Sequence, residues 1–311
     1  MLNLIKNEWM KLWSKKGTWV MVIFLAVLIF GFGGLAKLSE SLFDDTEWQE
    51  SVEADIAQIE KDLESTDLTE RERIELEIQR DDMREMQVVS IDSGQPLVRE
   101  VIIADTHDFM SLVTLLTIIV AGGIVSTEFS QGTIKMLLSR PVSRWKVLAS
   151  KYFTVILFSL LATAITYAAS VASAFIIFPG ATGDTILFNE QTLEVSAVWG
   201  KSLYLLFLAF INAMMIATIA FMLGVVFRST SMAIGISMFL YFTGGMIVMF
   251  LSDYFFAKFI LFAHTNLTVY DTGTTLLPDL SMAFSVVVLL VYWIIFLVLT
   301  FMTFMKRDVT A

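Results

Sequence analysis

A basic connector between two long apolar runs carries the residues best placed to bind a partner. It extends from Glu128 to Lys146 and is the most basic short connector of the chain. Its cationic residues, with the one that follows it, are Lys135, Arg140, Arg144, Lys146 and Lys151. Cationic groups beside a short apolar face bind membrane surfaces and other proteins. The connector therefore predicts binding, and it offers no set of residues for bond chemistry.

The local pattern predicts a short helix inside this connector. Gly132 and Thr133 break the preceding apolar run, and Thr133 can cap the new helix. Its apolar face would consist of Ile134, Met136, Leu137 and Leu138. Pro141 ends the helix, because the residue before a proline avoids helical backbone angles, and Ser143 can cap the next helix. On the residues alone, an ordinary amphipathic turn at the membrane interface is an equally open interpretation.

Catalytic candidates elsewhere in the chain are weak. There is no cysteine, which excludes thiolate metal sites and cysteine nucleophiles. The Gly-Lys-Ser at 200–202 imitates the end of a phosphate-binding loop, but Val195 stands where that loop needs its first glycine. We therefore expect no nucleotide site, no metal and no cofactor on this chain. Of the two histidines, His107 with Asp108 is either an interface anchor or a proton relay.

The composition indicates a multispanning membrane protein. Of 311 residues, 56% are hydrophobic, and the mean hydropathy is +0.73, too apolar for a soluble domain. Six uncharged runs reach the roughly 20 residues that cross a membrane. They are Gly17–Ala36, Phe109–Thr127, Tyr152–Gly183, Ser202–Phe227, Ser229–Ser252 and Leu280–Met305. The first has no signal-peptide cleavage pattern, and part of the third should emerge near Pro179.

The distribution of charge predicts the orientation. Lysines and arginines near span ends concentrate on the side of the connector and of both termini, which predicts that this side is cytoplasmic. Residues 1–16 have apolar residues at helical spacing with lysines beside them, which predicts an interfacial helix before the first span. In this helix Glu8 either pairs with Lys11, three residues on, or is solvated.

Two segments on the other side are unusual. Residues 38–105 carry 21 acidic and six basic residues, with an apolar stripe from Trp48 to Leu63 at helical spacing. We expect a helical hairpin whose charges form either a solvated face or a docking surface. The segment 253–279 contains an apolar run, 255–263, that is too short to span, which predicts an interfacial or re-entrant helix.

The order of residues in the connector resembles the first cytoplasmic loop of type-2 ATP-binding-cassette (ABC) exporter permeases. In that family the loop carries a coupling helix that docks on the ATP-binding subunit. By position, the resemblance implies that the coupling residues are Glu128, Gly132, Thr133, Leu137, Leu138, Arg140, Pro141 and Arg144. The amphipathic start, the six spans and the segment 253–279 are similar as well, whereas the long acidic segment is a departure.

We expect an all-α integral membrane protein of six transmembrane helices with an N-terminal amphipathic helix. The residues predict its extracellular α-helical hairpin, and the resemblance implies its cytoplasmic coupling helix. Its parts would be residues 1–37, the interfacial helix and first span; 38–105, the hairpin; and 106–311, five spans with the connector 128–146 and a re-entrant segment 253–279.

As a function, it implies a non-enzymatic transmembrane subunit of an exporter in a bacterial cell membrane, with both termini cytoplasmic. The cargo would be amphipathic, lipid-like or a peptide antibiotic. Expected partners are two ABC ATP-binding subunits, which carry ATP and magnesium, a second permease that is identical or homologous, and the lipid bilayer, but no nucleic acid. The alternative is a membrane sensor or scaffold whose acidic hairpin binds a peptide or partner.

Overall fold

A computed structural model describes residues 1–42, 45–63, 98–133, 142–180, 185–188, 191–272 and 280–306, with positions 73, 76, 80 and 277. Its helices are α1 (Leu2–Trp13), α2 (Lys16–Leu42), α3 (Asp45–Leu63), α4 (Arg99–Ala104), α5 (Met110–Ser130), α6 (Arg144–Ile177), α7 (Val198–Phe227), α8 (Thr230–Phe250), α9 (Val269–Thr272) and α10 (Met282–Lys306). Short 3-10 helices occupy Asp105–Phe109, Val195–Ala197, Phe255–Phe259 and Leu261–Ala263.

Six of these stretches are long and apolar enough to cross a membrane, as the sequence predicts. In chain order the spans are Lys16–Leu38, Arg99–Ser130, Arg144–Ile177, Val195–Phe227, Thr230–Phe250 and Met282–Lys306. The second and third spans begin earlier than their uncharged runs, because charged residues are included in their first turns. The third span, α6, ends at Ile177, directly before Phe178 and Pro179. The sequence predicted that the chain leaves the membrane near this point. The protein is a multi-pass membrane protein.

The fourth span is the centre of the bundle and packs against the second, third, fifth and sixth spans. In its apolar window 67% of the residues are buried, against 11% in the sixth span and 17% in the first, which lie at the periphery. The closest approach joins the fourth span to the second. A Cβ atom added at Gly224 would lie 2.8 Å from the carbonyl oxygen of Gly122. Glycine at this position therefore allows the two helix backbones to touch.

A buried polar contact joins three spans inside the bundle. The indole N–H of Trp293 donates to the Tyr152 hydroxyl over 2.8 Å, and that hydroxyl lies 2.8 Å from Thr218 Oγ1. The Thr218 hydroxyl in turn donates to the carbonyl of Met214 in its own helix. Because each polar group has a partner, Tyr152 and Thr218 can be buried among apolar spans without a large desolvation cost.

Two details on the opposite side differ from the sequence predictions. The chain is not helical throughout: Thr185–Phe188 (β1) and Gln191–Glu194 (β2) form an antiparallel hairpin that pairs Phe188 with Gln191. The segment after the fifth span is not one interfacial or re-entrant helix but two 3-10 helices followed by the single turn α9. Of the acidic hairpin, α3 confirms the first helix, while the second arm lies outside the described residues except for positions 73, 76 and 80.

Candidate functional site at the base of the 128–146 connector

One end of the bundle gathers α1, the connector, the short link after the fourth span and the end of the sixth span. The Lys11 ammonium lies 3.1 Å from Glu128 Oε1. The Arg228 guanidinium carbon lies 4.9 Å from the centre of the Phe129 ring, and that ring lies 6.3 Å from the ring of Phe304. We call this end the amino-terminal side. The grouping agrees with six spans that return both ends of the chain to one side.

Four charged side chains form an ion-pair cluster at this end: Glu8, Lys11, Glu128 and Lys151. The Lys151 ammonium lies 2.7 Å from Glu8 Oε2 and 2.7 Å from Glu128 Oε1. The Lys11 ammonium bridges the same two carboxylates, at 2.9 Å from Glu8 Oε1 and 3.1 Å from Glu128 Oε1. Each cation therefore contacts both anions, and the cluster is neutral as a whole.

Local structure explains how three separate elements supply these groups. Glu8 and Leu12 are four residues apart on α1, so both lie on the face of that helix that is buried against the bundle. The Thr18 hydroxyl donates to the Leu12 carbonyl over 2.6 Å and fixes the turn into the first span. Glu128 stands in the last turn of the second span, and Lys151 lies two turns into the third.

Two members of this cluster are buried, where charges are less screened than at a surface. Lys151 has 0% of its surface exposed and Glu8 has 7%. Burial by itself would raise the pKa of the Glu8 carboxyl, but the ammonium groups of Lys151 and Lys11 outweigh it and hold that pKa below its ordinary value. Burial would lower the pKa of Lys11, but the carboxylates of Glu8 and Glu128 outweigh it and raise that pKa. The charged forms are thus stabilised within the cluster.

Glu128 has less support than its neighbours. Its Oε2 atom is buried and has no hydrogen-bond partner among the described residues. The polar contacts of this partly buried carboxylate are those that its Oε1 atom makes with the ammonium groups of Lys11 and Lys151. The position of Glu128, and with it the start of the connector, therefore depends on Lys151 and Lys11.

The structure places the remaining predicted coupling residues as follows. Gly132 has a φ of 69°, in the left-handed region that favours glycine, and it ends the second span as predicted. The Thr133 hydroxyl lies 3.4 Å from the backbone carbonyl of Glu128 and donates to it. Arg144 is the exposed first residue of the third-span helix, directly after Ser143, which is its N-cap but makes no side-chain capping bond. The other four, Leu137, Leu138, Arg140 and Pro141, lie outside the described residues, as does the short helix.

Sequence reasoning did not find the pairing of Glu8 with Lys151. It placed Lys151 with the basic residues of the connector, whereas the structure buries it completely. Two signals pointed to the pair. Glu8 is the single acidic residue among the first 16, and Lys151 interrupts an otherwise uncharged stretch of the third span. A charge at such a position is rarely left without a partner.

On the opposite side, the residues whose types suggested a binding or catalytic role form ion pairs and hydrogen bonds within the bundle. Lys201 pairs with Asp271 at 2.5 Å, and the Ser202 hydroxyl donates to the Ile103 carbonyl over 2.6 Å. His107 Nε2 lies 3.6 Å from Asp108 Oδ1. Among the described residues, no group of three or more histidine, aspartate or glutamate side chains is arranged to hold a metal ion.

Comparison with known proteins identifies a family. The family model described as "Protein of unknown function (DUF2705)" matches residues 88–310. The chain is 38% identical over 315 residues to the "Uncharacterized protein YhcI" of Bacillus subtilis (strain 168), covering 99% of both chains. It is 32% identical over 201 residues to the "Uncharacterized membrane protein YdbK" of the same organism, covering 64% of this chain and 78% of that protein.

These matches correct the resemblance that was drawn from the connector. The motif of the connector pointed to the type-2 ABC exporter permeases, but the family model that matches is a different one, and neither relative is described as a permease. A Gly-Thr break, a leucine pair and a proline stop form a short pattern that any amphipathic turn between two spans can share. The match over residues 88–310 and the nearly full-length similarity show that this chain belongs to the DUF2705 family.

Proposed function

We propose that this chain is the membrane-embedded subunit of an exporter, driven by ATP hydrolysis on a separate chain that docks on the connector. The amino-terminal side would face the cytoplasm, because lysines and arginines near the span ends concentrate there. The membrane would be the bacterial cell membrane. Two ATPase subunits would act on two transmembrane subunits, which are identical or homologous.

The ion-pair cluster is the observation that carries this proposal. Glu128 at the start of the connector is held by Lys11 of α1 and by Lys151 of the third span. A force on the connector would therefore reach the second span, the third span and α1 together. A connector that only joined two spans would not need buried charges at its base, since these are costly to desolvate.

The spans support an apolar or amphipathic cargo more than an ion. The described parts of the spans contain few ionisable groups, and paths for ions or protons require such groups. The first and sixth spans expose most of their apolar surface, which is available to lipid or to a second transmembrane subunit. A lipid-like molecule or a membrane-active peptide fits these surfaces.

The test is affinity purification of the protein from its native membrane in mild detergent, with ATPase activity measured in the eluate. The double variant Leu137→Asp, Leu138→Asp places two charges on the expected docking face. The matched control, Phe255→Asp with Phe256→Asp, makes the same change at two exposed residues of the opposite side. We expect the wild type and the control to retain the ATPase and the connector variant to lose it.

Two results would overturn the proposal. If no ATPase accompanies the wild type, the chain does not work with a separate ATP-hydrolysing subunit, and a sensor or scaffold built on the acidic segment 38–105 becomes the better explanation. If the ATPase accompanies the connector variant as well as the control, docking does not occur on the connector.

A further inference from the structure

A cavity of about 860 Å³ opens beside the ion-pair cluster. It lies between α1, the start of the first span, the second span and the start of the fifth span. Its apolar wall includes Leu12, Met21, Val120, Ile124 and Ile234. This volume falls within the usual range for small-molecule pockets, roughly 300–1,000 Å³. Such a space among apolar side chains suits an occupant with a hydrocarbon part.

The charges at the polar edge of this cavity, counted together with Lys151 behind them, sum to one positive charge, that of Lys15. Lys11 and Lys15 line it together with Glu8 and Glu128. The two carboxylates are already engaged by Lys151, a fifth charge that is buried behind them. Lys15 is exposed, and no carboxylate among the described residues pairs with it. The edge can therefore accept a negatively charged group without leaving a buried cation or anion unpaired.

The cavity extends from the membrane surface into the apolar part of the bundle. Three tryptophans mark the surface level: the rings of Trp9 and Trp13 are 5.6 Å apart, and those of Trp13 and Trp19 are 5.0 Å apart. Tryptophan side chains concentrate at the headgroup level of membranes. Val120 lies ten residues before the end of its helix at Ser130, which places it about 15 Å deeper at 1.5 Å per residue.

We propose that this cavity binds one anionic phospholipid from the adjoining leaflet. Its phosphate would lie at Lys15 and the outer side of Lys11, and an acyl chain would follow the apolar wall toward Val120. The charge at the edge, the apolar wall and the depth each match one part of such a molecule. The bound lipid would pack against both α1 and the base of the connector and would hold them together. This site does not depend on the proposed export function, because its binding is measured on the isolated chain.

Two pairs of variants separate the two parts of the site. Gly123 lines the cavity, and an added Cβ would have neighbours no closer than 3.8 Å, so there is room for the Cβ of Gly123→Leu and we expect its side chain to occupy cavity space. Gly235→Leu is its control, since nothing lies within 4 Å of a Cβ at that position and Gly235 is not in the lining. Lys15→Gln removes the charge at the edge, and Lys6→Gln removes an exposed lysine of α1 outside the cavity.

The experiment is native mass spectrometry of the delipidated, full-length protein titrated with phosphatidylglycerol or with phosphatidylcholine of the same chains. We expect the wild type to hold one phosphatidylglycerol more tightly than phosphatidylcholine. Lys15→Gln should reduce the preference about fivefold, the effect of one lysine at an anionic surface, and Gly123→Leu should abolish the tight site. Both controls should match the wild type.

Equal affinity of the wild type for the two lipids would overturn the assignment of an anionic headgroup. Unchanged binding of phosphatidylglycerol to Gly123→Leu would show that the lipid binds elsewhere. The same conclusion would follow if Gly235→Leu lost as much binding as Gly123→Leu. Lys15→Gln stays informative if Gly123→Leu does not fold, because the substituted side chain is exposed. A preference that is unchanged in Lys15→Gln would also contradict the proposal.

Discussion

The Lys151 ammonium lies 2.7 Å from Glu8 Oε2, although 143 positions separate the two residues in the chain. This contact fastens α1 to the third span. Since Lys151 also contacts Glu128 at the same distance, one buried cation connects the beginning of the chain to the ends of two spans beside the connector. The following predictions test this arrangement and the packing around it.

Replacement of Lys151 by methionine should strongly destabilise the protein. The variant Lys151→Met removes the buried one of the two cations that Glu8 and Glu128 share, and the other, Lys11, is about half exposed. Removal of one partner from a buried ion pair typically costs about 3–5 kcal/mol. The measurement is unfolding in mixed detergent micelles, followed by circular dichroism. The triple variant with Glu8→Gln and Glu128→Gln should recover part of the loss, because the one charge that it leaves unpaired, Lys11, is about half exposed.

Lys146→Met is the control for this prediction. Lys146 is exposed on the same helix, with its ammonium 5.8 Å from the Trp145 ring centre. A change at such a surface position is expected to stay within about 0.5 kcal/mol. Similar losses in Lys146→Met and Lys151→Met would show that the cluster is not a specific source of stability.

The cluster should limit stability at both ends of the pH range. The pKa of Glu8 is lowered from 4.5, so its contribution is complete above that pH and is lost as the pH falls through the lower value. The pKa of Lys11 is raised from 10.5, so its contribution is complete below that pH and is lost at higher pH. Unfolding temperatures of the wild type and Glu8→Gln should converge in acid. A constant difference between them at every pH would contradict this linkage.

The contact between Gly224 and Gly122 should not tolerate one extra methyl group. A Cβ at Gly224 would lie 2.8 Å from a backbone oxygen, so the second and fourth spans would have to separate. We expect Gly224→Ala to cost about 1–3 kcal/mol, as overpacking does elsewhere. Gly235→Ala, with nothing within 4 Å of its Cβ, should be neutral or slightly stabilising. The free energies of unfolding of the two variants provide the comparison, and equal values would refute the close contact.

His264 should give the protein a second, weaker pH dependence. His264 Nε2 donates to the Lys258 carbonyl over 2.9 Å, and Nδ1 accepts from Ser285 Oγ over 2.6 Å. Burial lowers the pKa of His264 below 6.5, although the bond to the carbonyl opposes this shift. The unfolded chain therefore binds more protons below pH 6.5, and stability should decrease as the pH falls below that value.

A variant without this imidazole isolates the effect. His264→Gln should reduce the slope of unfolding temperature between about pH 8 and about pH 5, where an unperturbed histidine titrates. The same slope in the wild type and in His264→Gln would show that other groups cause it.

Much of the architecture follows from local properties of the sequence. Six uncharged runs of sufficient length predict six spans, because lipid leaves a backbone no alternative to internal hydrogen bonds. The end of the third span at Ile177 was predicted from the length of its apolar run, which exceeds what a membrane crossing needs. The end of the second span at Gly132 and the amphipathic α1 were predicted for similarly local reasons.

The remaining features depend on contacts between distant residues. From the sequence alone, Glu8 could equally well be a solvated carboxylate. Only the packing of α1 on the third span brings it into contact with Lys151. The hairpin of β1 and β2 consists of two short strands in the loop between the third and fourth spans. The predicted helices are compatible with a loop of any conformation there, so they do not predict these strands. The family assignment was wrong because the connector motif is short and the span count and amphipathic start are general features of membrane proteins, whereas the family match covers residues 88–310.

The ion-pair cluster also sets an order of events during synthesis. Glu8 leaves the ribosome 143 residues before Lys151, which corresponds to roughly 7–29 s at ordinary rates of translation. Throughout this interval α1 has neither the third span to pack on nor the second of the two cations that pair with Glu8. The nascent α1 must therefore remain at the membrane surface while three spans insert, and its docking closes the structure only after the third span is in place.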